Sequence, residues 1–253
     1  MGDSPGTEEA IKRWDRYADL FTAGYDANGD IHREVLLNPV LSRLVEPIRD
    51  KKVLDAGCGE GYLSRIFAKS GAIVSAVDYS KRMLEIAQNK TAEDLNIRFY
   101  HGNCEKLDCF ADKSFDLIVS NMVIQDLEHY RDAIKEMYRL LADGGTFIFS
   151  ILHPCFVTPN SGWERNHEGE KLYWKIDNYF YEGVYDQVIP REQPDKILLF
   201  HRTLSSYFRA IKDAGFIVDD LIEPKPSAEM LKKYPSFKED LRSSDFIVFK
   251  LRK

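Results

Sequence analysis

The chain has 253 residues, enough for one large α/β domain or two small ones. Its 44% hydrophobic and 12% aromatic content suits a chain that buries a core, not a disordered tail. A formal net charge of -6 lacks the basic footprint of a nucleic-acid binder, and no run of about 18 apolar residues signals a transmembrane helix.

The first ten residues are polar and acidic, unlike a secretory signal, and Gly6 stands where a myristoylation start wants Ser or Thr. Residues 8–19 have helical periodicity, with Ile11, Trp14, Tyr17 and Ala18 on one face, and Trp14 reads as core. Gly24 and the Asn28-Gly29 pair mark a loop, and a second helix is expected over about residues 32–45. Val53-Leu54-Asp55-Ala56 is a short apolar strand that breaks into Gly57-Cys58-Gly59-Glu60-Gly61. A helix over about residues 62–69 follows, closed by Gly71.

The unit then repeats. Strands are expected over residues 72–77, 97–101, 115–120 and 146–152, with helices over 80–89 and 130–141. This alternation predicts a parallel sheet covered on both faces. Residues 155–194 break the rhythm with many aromatics and read as irregular structure with short strands. Beyond them come a strand over 196–201, a helix over 204–214 ending at Gly215, and closing strands over 216–222 and 246–251. The expected organisation is one domain over 1–253. It comprises an N-terminal helical lid (1–50), a ligand-binding core (51–152), an aromatic-rich cap (153–195) and the C-terminal part of the sheet (196–253).

Cys58, Cys104, Cys109 and Cys155 form no CxxC pair, so neither a zinc site nor a disulfide framework is suggested. Reduced thiols in a cytoplasmic protein, with no metal, are the expectation.

In an open parallel sheet, ligands sit beyond the carboxyl ends of the strands, where the strand order reverses. The glycine turn at residues 57–61 lies at such an end, and the next helix offers free N–H groups. A dinucleotide fingerprint is GxGxxG, whereas the glycines here alternate as GxGxG behind Asp55. A pyrophosphate is repelled by an aspartate there, and a ligand bearing an ammonium and a sulfonium is not. Asp78 ends the second strand about 20 residues past the turn, where an acid accepts bonds from ribose hydroxyls. Its other reading is a helix N-cap, a role Ser80 can fill instead.

Val53 to Gly61, Ala76-Val77-Asp78-Tyr79-Ser80, Phe115-Asp116-Leu117-Ile118-Val119-Ser120 and Leu140-Leu141-Ala142-Asp143-Gly144-Gly145 stand in that order. Together they resemble the motifs of the class I S-adenosylmethionine-dependent methyltransferases of the bacterial small-molecule type. The resemblance runs from about Lys51 to Ile151. It implies a Rossmann-like, doubly wound, mostly parallel seven-stranded sheet with an antiparallel edge strand. It implies S-adenosylmethionine as cofactor and S-adenosylhomocysteine as product.

By that resemblance Gly57 and Gly59 carry the methionine part, Asp55 sits near its ammonium, Asp78 holds the ribose and Tyr79 packs on adenine. Asn103, Cys104 and Glu105 match a stretch that usually reads Asp-Ala-Glu, with Asn103 at the adenine amino group. Asn121, Met122 and Gln125 flank the sulfonium end, and Tyr17 and Arg33 are candidates to close over the cofactor. Arg33 suits a carboxylate through its two-pronged donor geometry, or is a solvated surface arginine.

A base for the acceptor is sought in His153, which Pro154 holds extended after the fifth strand, with His201 as second candidate. Either is alternatively a structural histidine. Trp163, Trp174, Tyr179, Phe180 and Tyr185 are the candidate acceptor wall, or else a mini-core or homodimer contact. The expected partner is a small molecule methylated on O or N, not nucleic acid or membrane. The Asn/Asp-Pro-Pro-Tyr/Phe signature of nucleic-acid amino-methylating enzymes is replaced by Ser120-Asn121-Met122-Val123. The alternatives are a non-catalytic binder of the cofactor or its product, a methyltransferase for a macromolecule, and a nicotinamide oxidoreductase, which the glycine spacing disfavours.

Overall fold

The computed structural model describes residues 5–187 and 196–253. The first four residues of the lid and residues 188–195 of the cap lie outside the described residues.

Seven strands form one sheet in the order β10-β11-β5-β4-β1-β2-β3. They are β1 (Lys52–Ala56), β2 (Ile73–Asp78), β3 (Ile97–His101), β4 (Phe115–Asn121), β5 (Leu141–Leu152), β10 (Ile217–Ile222) and β11 (Phe246–Arg252). The pairings β1–β2, β2–β3, β1–β4 and β4–β5 are parallel. β11 runs antiparallel to both β5 and β10 and lies one place in from that edge. The order reverses between β1 and β4, which opens a crevice above their carboxyl ends.

The apolar strands are explained by burial on both faces. α5 (Tyr130–Leu140) and α6 (Leu204–Ala214) cover one face with Ile134, Met137, Tyr207 and Ile211. α2 (Asn38–Leu44) and α3 (Tyr62–Lys69) cover the other with Leu41, Leu44, Leu63 and Phe67. α4 (Lys81–Lys90) begins at Ser80, whose hydroxyl accepts the Met83 N–H at 3.1 Å, so the cap expected at Ser80 is present. The helix expected over 32–45 divides into a π-helical turn, Arg33–Leu37, and α2.

α1 (Thr7–Thr22) crosses the carboxyl side of the sheet and is fastened at several points. Thr7 donates to Glu105 Oε1 at 2.6 Å, Asp15 accepts from the Ser80 hydroxyl, and Asp19 pairs with Arg82 at 2.6 Å. Arg13 reaches Asp186 at 2.9 Å.

The C-terminal region departs from expectation in one element. Residues 197–201 form β9 (Ile197–His201), but β9 pairs with β8 (Gly183–Gln187) in a separate two-stranded ribbon and not with the main sheet. Its fully buried pattern comes from packing beneath α1, where Ile197 and Leu199 meet Tyr17. The cap supplies a second hairpin, β6 (Gly162–Arg165) with β7 (Lys171–Lys175). Helix α7 (Ala228–Lys233) and a 3-10 turn, Pro235–Leu241, lie between β10 and β11.

The turn after β1 depends on glycine. Gly57 has φ +84°, and a Cβ there would lie 2.3 Å from Cγ2 of Val123. The left-handed conformation costs a side-chain-bearing residue about 1–2 kcal/mol, and overpacking adds a comparable amount. Gly57→Ala is expected to lower unfolding stability by about 2–4 kcal/mol in urea titrations, and Gly57→Ala/Val123→Ala to recover part of that loss. Equal stability of parent and single variant would refute the steric account.

Candidate functional site

The crevice holds a half-open cavity. Its floor is the turn after β1. The N–H groups of Gly57 and Cys58 donate to Val77 O at 2.8 and 2.9 Å, and the Gly59 N–H donates to Asp78 Oδ2 at 2.8 Å. Gly59 has φ +53°, and nothing lies within 4 Å of where its Cβ would be. Main chain is therefore presented bare to a ligand.

Asp55, at the end of β1, is 2% exposed and accepts from Ser64 Oγ at 2.5 Å. Burial pushes its pKa up to about 7, against the Ser64 hydrogen bond and with the help of the neighbouring Asp78 charge. Burial also raises Asp78, against the N–H groups of Ser80 and Gly59. Each Asp78 oxygen takes one main-chain bond, Ser80 N at 2.8 Å on the other side, which fixes the carboxylate and leaves further lone pairs for a ligand.

Tyr79 lines the cavity and stacks on His101, with centroids 5.5 Å apart. Asn103 and Cys104 line it from the loop after β3, and burial raises the Cys104 and Cys58 thiols, so both are protonated. The Asn103 side-chain Oδ1 accepts the Glu105 N–H at 3.0 Å, which turns the loop. Asn121 and Met122 line it from the end of β4. Met122 has φ +64°, a conformation stabilised by two bonds from its N–H to Ser150. Arg33 lines the wall opposite, ion-paired with Asp30 and lying 5.3 Å from the Tyr25 ring.

Most of the expected ligand residues therefore meet at one crevice, and three do not. Tyr17 is buried against Ile197 and Leu199 and is not part of the cavity wall, which has Tyr25 instead. Glu105 is spent on structure, since it accepts from Thr7, from Asn103 and from the His129 N–H. Gln125 lines a separate, much smaller cavity. Trp14, read as core, turns out to line the main cavity.

His153 does not project into the crevice. It is 2% exposed and lines neither cavity. Its Nδ1 accepts the Cys155 N–H at 3.2 Å, which leaves Nε2–H to donate to Glu223 Oε1 at 2.8 Å. Both ring nitrogens are thus spent on tying the loop after β5 to the segment after β10. Burial lowers its pKa, opposed by Glu223.

His201 does line the smaller cavity, beside Gln125, Leu152, Pro154, Tyr185 and Arg202, and its Nε2 bonds Tyr179 O at 3.0 Å. The aromatic cap does not form one wall. Tyr185 lines the smaller cavity, and Tyr179 accepts the Leu204 N–H. Phe180 is 86% exposed. Trp163 and Trp174 pack edge to face in a different cleft with His32, Lys171 and Phe237.

One residue in the main cavity has no sequence signal. Asp126, in the 3-10 turn Ile124–Asp126, lines the cavity at 6% exposure.

Residues 54–149 match the methyltransferase domain family. A solved structure described as a putative S-adenosylmethionine dependent methyltransferase from Listeria monocytogenes is 28% identical, with a TM-score of 0.76 over 85% of this chain and 95% of that one.

Residues 54–149 are a methyltransferase domain, and the fold around them is that of the class I S-adenosylmethionine-dependent methyltransferases.

An uncharacterized Haemophilus influenzae protein is 27% identical over 87% of this methyltransferase and 88% of its own length. A malonyl-[acyl-carrier protein] O-methyltransferase from Buchnera aphidicola subsp. Baizongia pistaciae is 32% identical, over 57% of this chain and 59% of its own length. The cofactor of the methyltransferase is S-adenosylmethionine. The cavity fits it. Bare main chain, the carboxyl groups of Asp55 and Asp78 among the four acidic residues of the lining, and the Arg33 guanidinium complement a ligand with a sulfonium, an ammonium, a diol and a carboxylate.

The raised Asp55 pKa sets a stability trend for the ligand-free methyltransferase. The folded state holds a proton that the unfolded state releases near pH 4, so stability falls as pH rises from about 4 through about 7. Across that window the loss is roughly 4 kcal/mol. Urea midpoints are expected to decline from pH 5 to pH 8, and Asp55→Asn to flatten the decline. An Asp55→Asn variant with the parental slope would show that another group carries it.

Proposed function

We propose that the enzyme transfers the methyl group to an oxygen or nitrogen of a small organic acceptor lodged against the cavity lined by Gln125, Tyr185 and His201. The single observation behind this reading is a partition. Consecutive residues Gln125 and Asp126 line different cavities, and in this reading the larger takes the cofactor while the smaller marks the side from which the acceptor approaches. The smaller cavity is walled by Leu152, Val157, Leu199, Phe200 and Tyr207, with a few polar groups among them, as small-molecule sites are. The malonyl-[acyl-carrier protein] enzyme named above and a Coxiella burnetii ubiquinone biosynthesis O-methyltransferase, 32% identical over 62% of its length, lend weight to oxygen as the methylated atom.

In this reading Gly57 and Gly59 give the methionine part a surface without side chains, and Asp55 faces its ammonium. Arg33 meets its carboxylate. Asp78 accepts from the ribose hydroxyls, Tyr79 packs on adenine, and Asn103 with the Cys104 main chain reads the adenine edge. Asn121 and Met122 flank the sulfur. The cofactor supplies an activated methyl group. The chain's contribution is alignment for in-line attack and exclusion of water beneath α1.

Isolated enzyme given methyl-labelled S-adenosylmethionine and a panel of hydroxy-acids, phenols, carboxylic acids and amines is expected to release S-adenosylhomocysteine with at least one of them. It is expected to release none with tRNA, DNA or cell protein. Tight S-adenosylhomocysteine binding without turnover on any acceptor would favour a non-catalytic binder. In calorimetry, Asp78→Ala is expected to weaken S-adenosylhomocysteine by more than about tenfold, because charge-assisted bonds are lost. Parental affinity in the folded variant would remove Asp78 from the ribose site.

A further inference from the structure

Three buried side-chain atoms have no hydrogen-bond partner among the described residues: Nε1 of Trp14, Oε1 of Gln125 and Oδ1 of Asp126. An unmade bond of this kind is costly, and more so for a charged group. All three belong to the zone where α1 passes over the turn Ile124–Asp126. Trp14 and Asp126 line the cofactor cavity, and Gln125 lines the smaller one. Buried polar groups in folded proteins are satisfied, so bare ones in a cavity wall indicate bonds that a ligand supplies.

The polar groups of the cofactor have other partners in the reading given above. Asp126 is placed differently. The charge of Asp126 helps to raise the pKa of Tyr185 and of Tyr207, both in the wall of the smaller cavity. Asp126 therefore acts on both compartments from the partition between them.

We propose that Asp126 is a catalytic residue whose unpartnered Oδ1 accepts the hydrogen bond of the acceptor's hydroxyl or neutral amine and takes its proton as the methyl group moves. The inference rests on the proposed transfer to O or N. As the acceptor's lone pair forms a bond to the methyl carbon, the carbon–sulfur bond breaks and its electron pair stays on sulfur. The proton passes from the acceptor to Asp126. The positive sulfur and the negative carboxylate both end neutral, so no further reactant is needed. Gln125 Oε1 offers a second acceptor to a second N–H or O–H of the same ligand.

The surroundings suit a base. Burial holds the pKa of Asp126 well above the ordinary carboxylate value, and Asp78 raises it further. The indole N–H of Trp14, directed at the carboxylate from α1 beyond good hydrogen-bond geometry, opposes this most, followed by the charges of Arg33 and Arg202. A carboxylate whose pKa approaches the working pH is the better proton acceptor.

The test uses the full chain with Trp163→Phe and Trp174→Phe, which leaves Trp14 as the sole indole of three. With saturating S-adenosylhomocysteine, Trp14 emission is expected to titrate with a midpoint clearly above the free aspartate value of about 3.9. Asp126→Asn is expected to abolish that titration and to leave S-adenosylhomocysteine affinity within threefold of parent by calorimetry. A midpoint near 4, or a tenfold loss of affinity in Asp126→Asn, would overturn the proposal, the latter by making Asp126 a cofactor ligand.

On an acceptor found with the panel above, Asp126→Asn is expected to lose at least 100-fold in kcat, with partial rescue by Asp126→Glu. Undiminished kcat in Asp126→Asn would overturn the proposal. A panel silent with the parent enzyme would sink the proposed transfer, while the Trp14 titration and the affinity still judge Asp126.

Discussion

Everything in the site hangs on one carboxylate that bridges two strands. Asp78, at the tip of β2, accepts the Gly59 N–H at the tip of β1 and the Ser80 N–H at the head of α4. Neighbouring parallel strands are thereby joined by a side chain beyond the point where their ladder ends. The glycine turn is further held by the Val77 carbonyl, so its open surface is a fixed one. A fixed surface spares a ligand the cost of ordering it.

Charge is arranged around that frame with little waste. Asp55, Asp78 and Asp126 are all raised by burial, so the empty cavity opposes three full negative charges in one place. A sulfonium ligand with an ammonium relieves that opposition, and the ion pair of Arg33 with Asp30 presents a guanidinium in the same lining without adding net positive charge. Glu60 is the exception. It is buried but tied to Arg65 at 2.8 Å and Lys90 at 3.0 Å, so its charge belongs to the scaffold of the turn.

What the residues disclosed in advance was local in origin. Glycines at 57, 59 and 61 all take positive φ, a conformation their own chemistry allows, and the spacing to Asp78 follows from one helix and one strand. The strand and helix pattern through residue 152 follows from apolar periodicity in the same way. What could not be read was set by distant partners. His153 was placed by the proline after it, yet its ring is turned by Glu223, a residue 70 positions away. β9 has the apolar run of a central strand, but only its pairing with β8 decides where it goes. Trp14 and Tyr17 share a helix face three residues apart, and the crossing of α1 sends one to the cavity and the other to β9. Asp126 stands in a short stretch with no periodicity, so nothing local separates it from its solvated neighbour Glu128.

The fastening of α1 has a kinetic corollary. Its bonds to Asp186 and Arg82 are ion pairs at half-exposed or exposed side chains, whereas the strands beneath are held by apolar burial. Exposed pairs of this sort contribute at most about 1 kcal/mol each and fade as salt screens them. Buried Ala10, Tyr17 and Ala18 hold the same helix by apolar contact, so salt weakens the polar part of its fastening and leaves the rest. Concentrated electrolyte loosens the roof before it disturbs the floor, so residence time of whatever lies beneath shortens while the sheet stays intact.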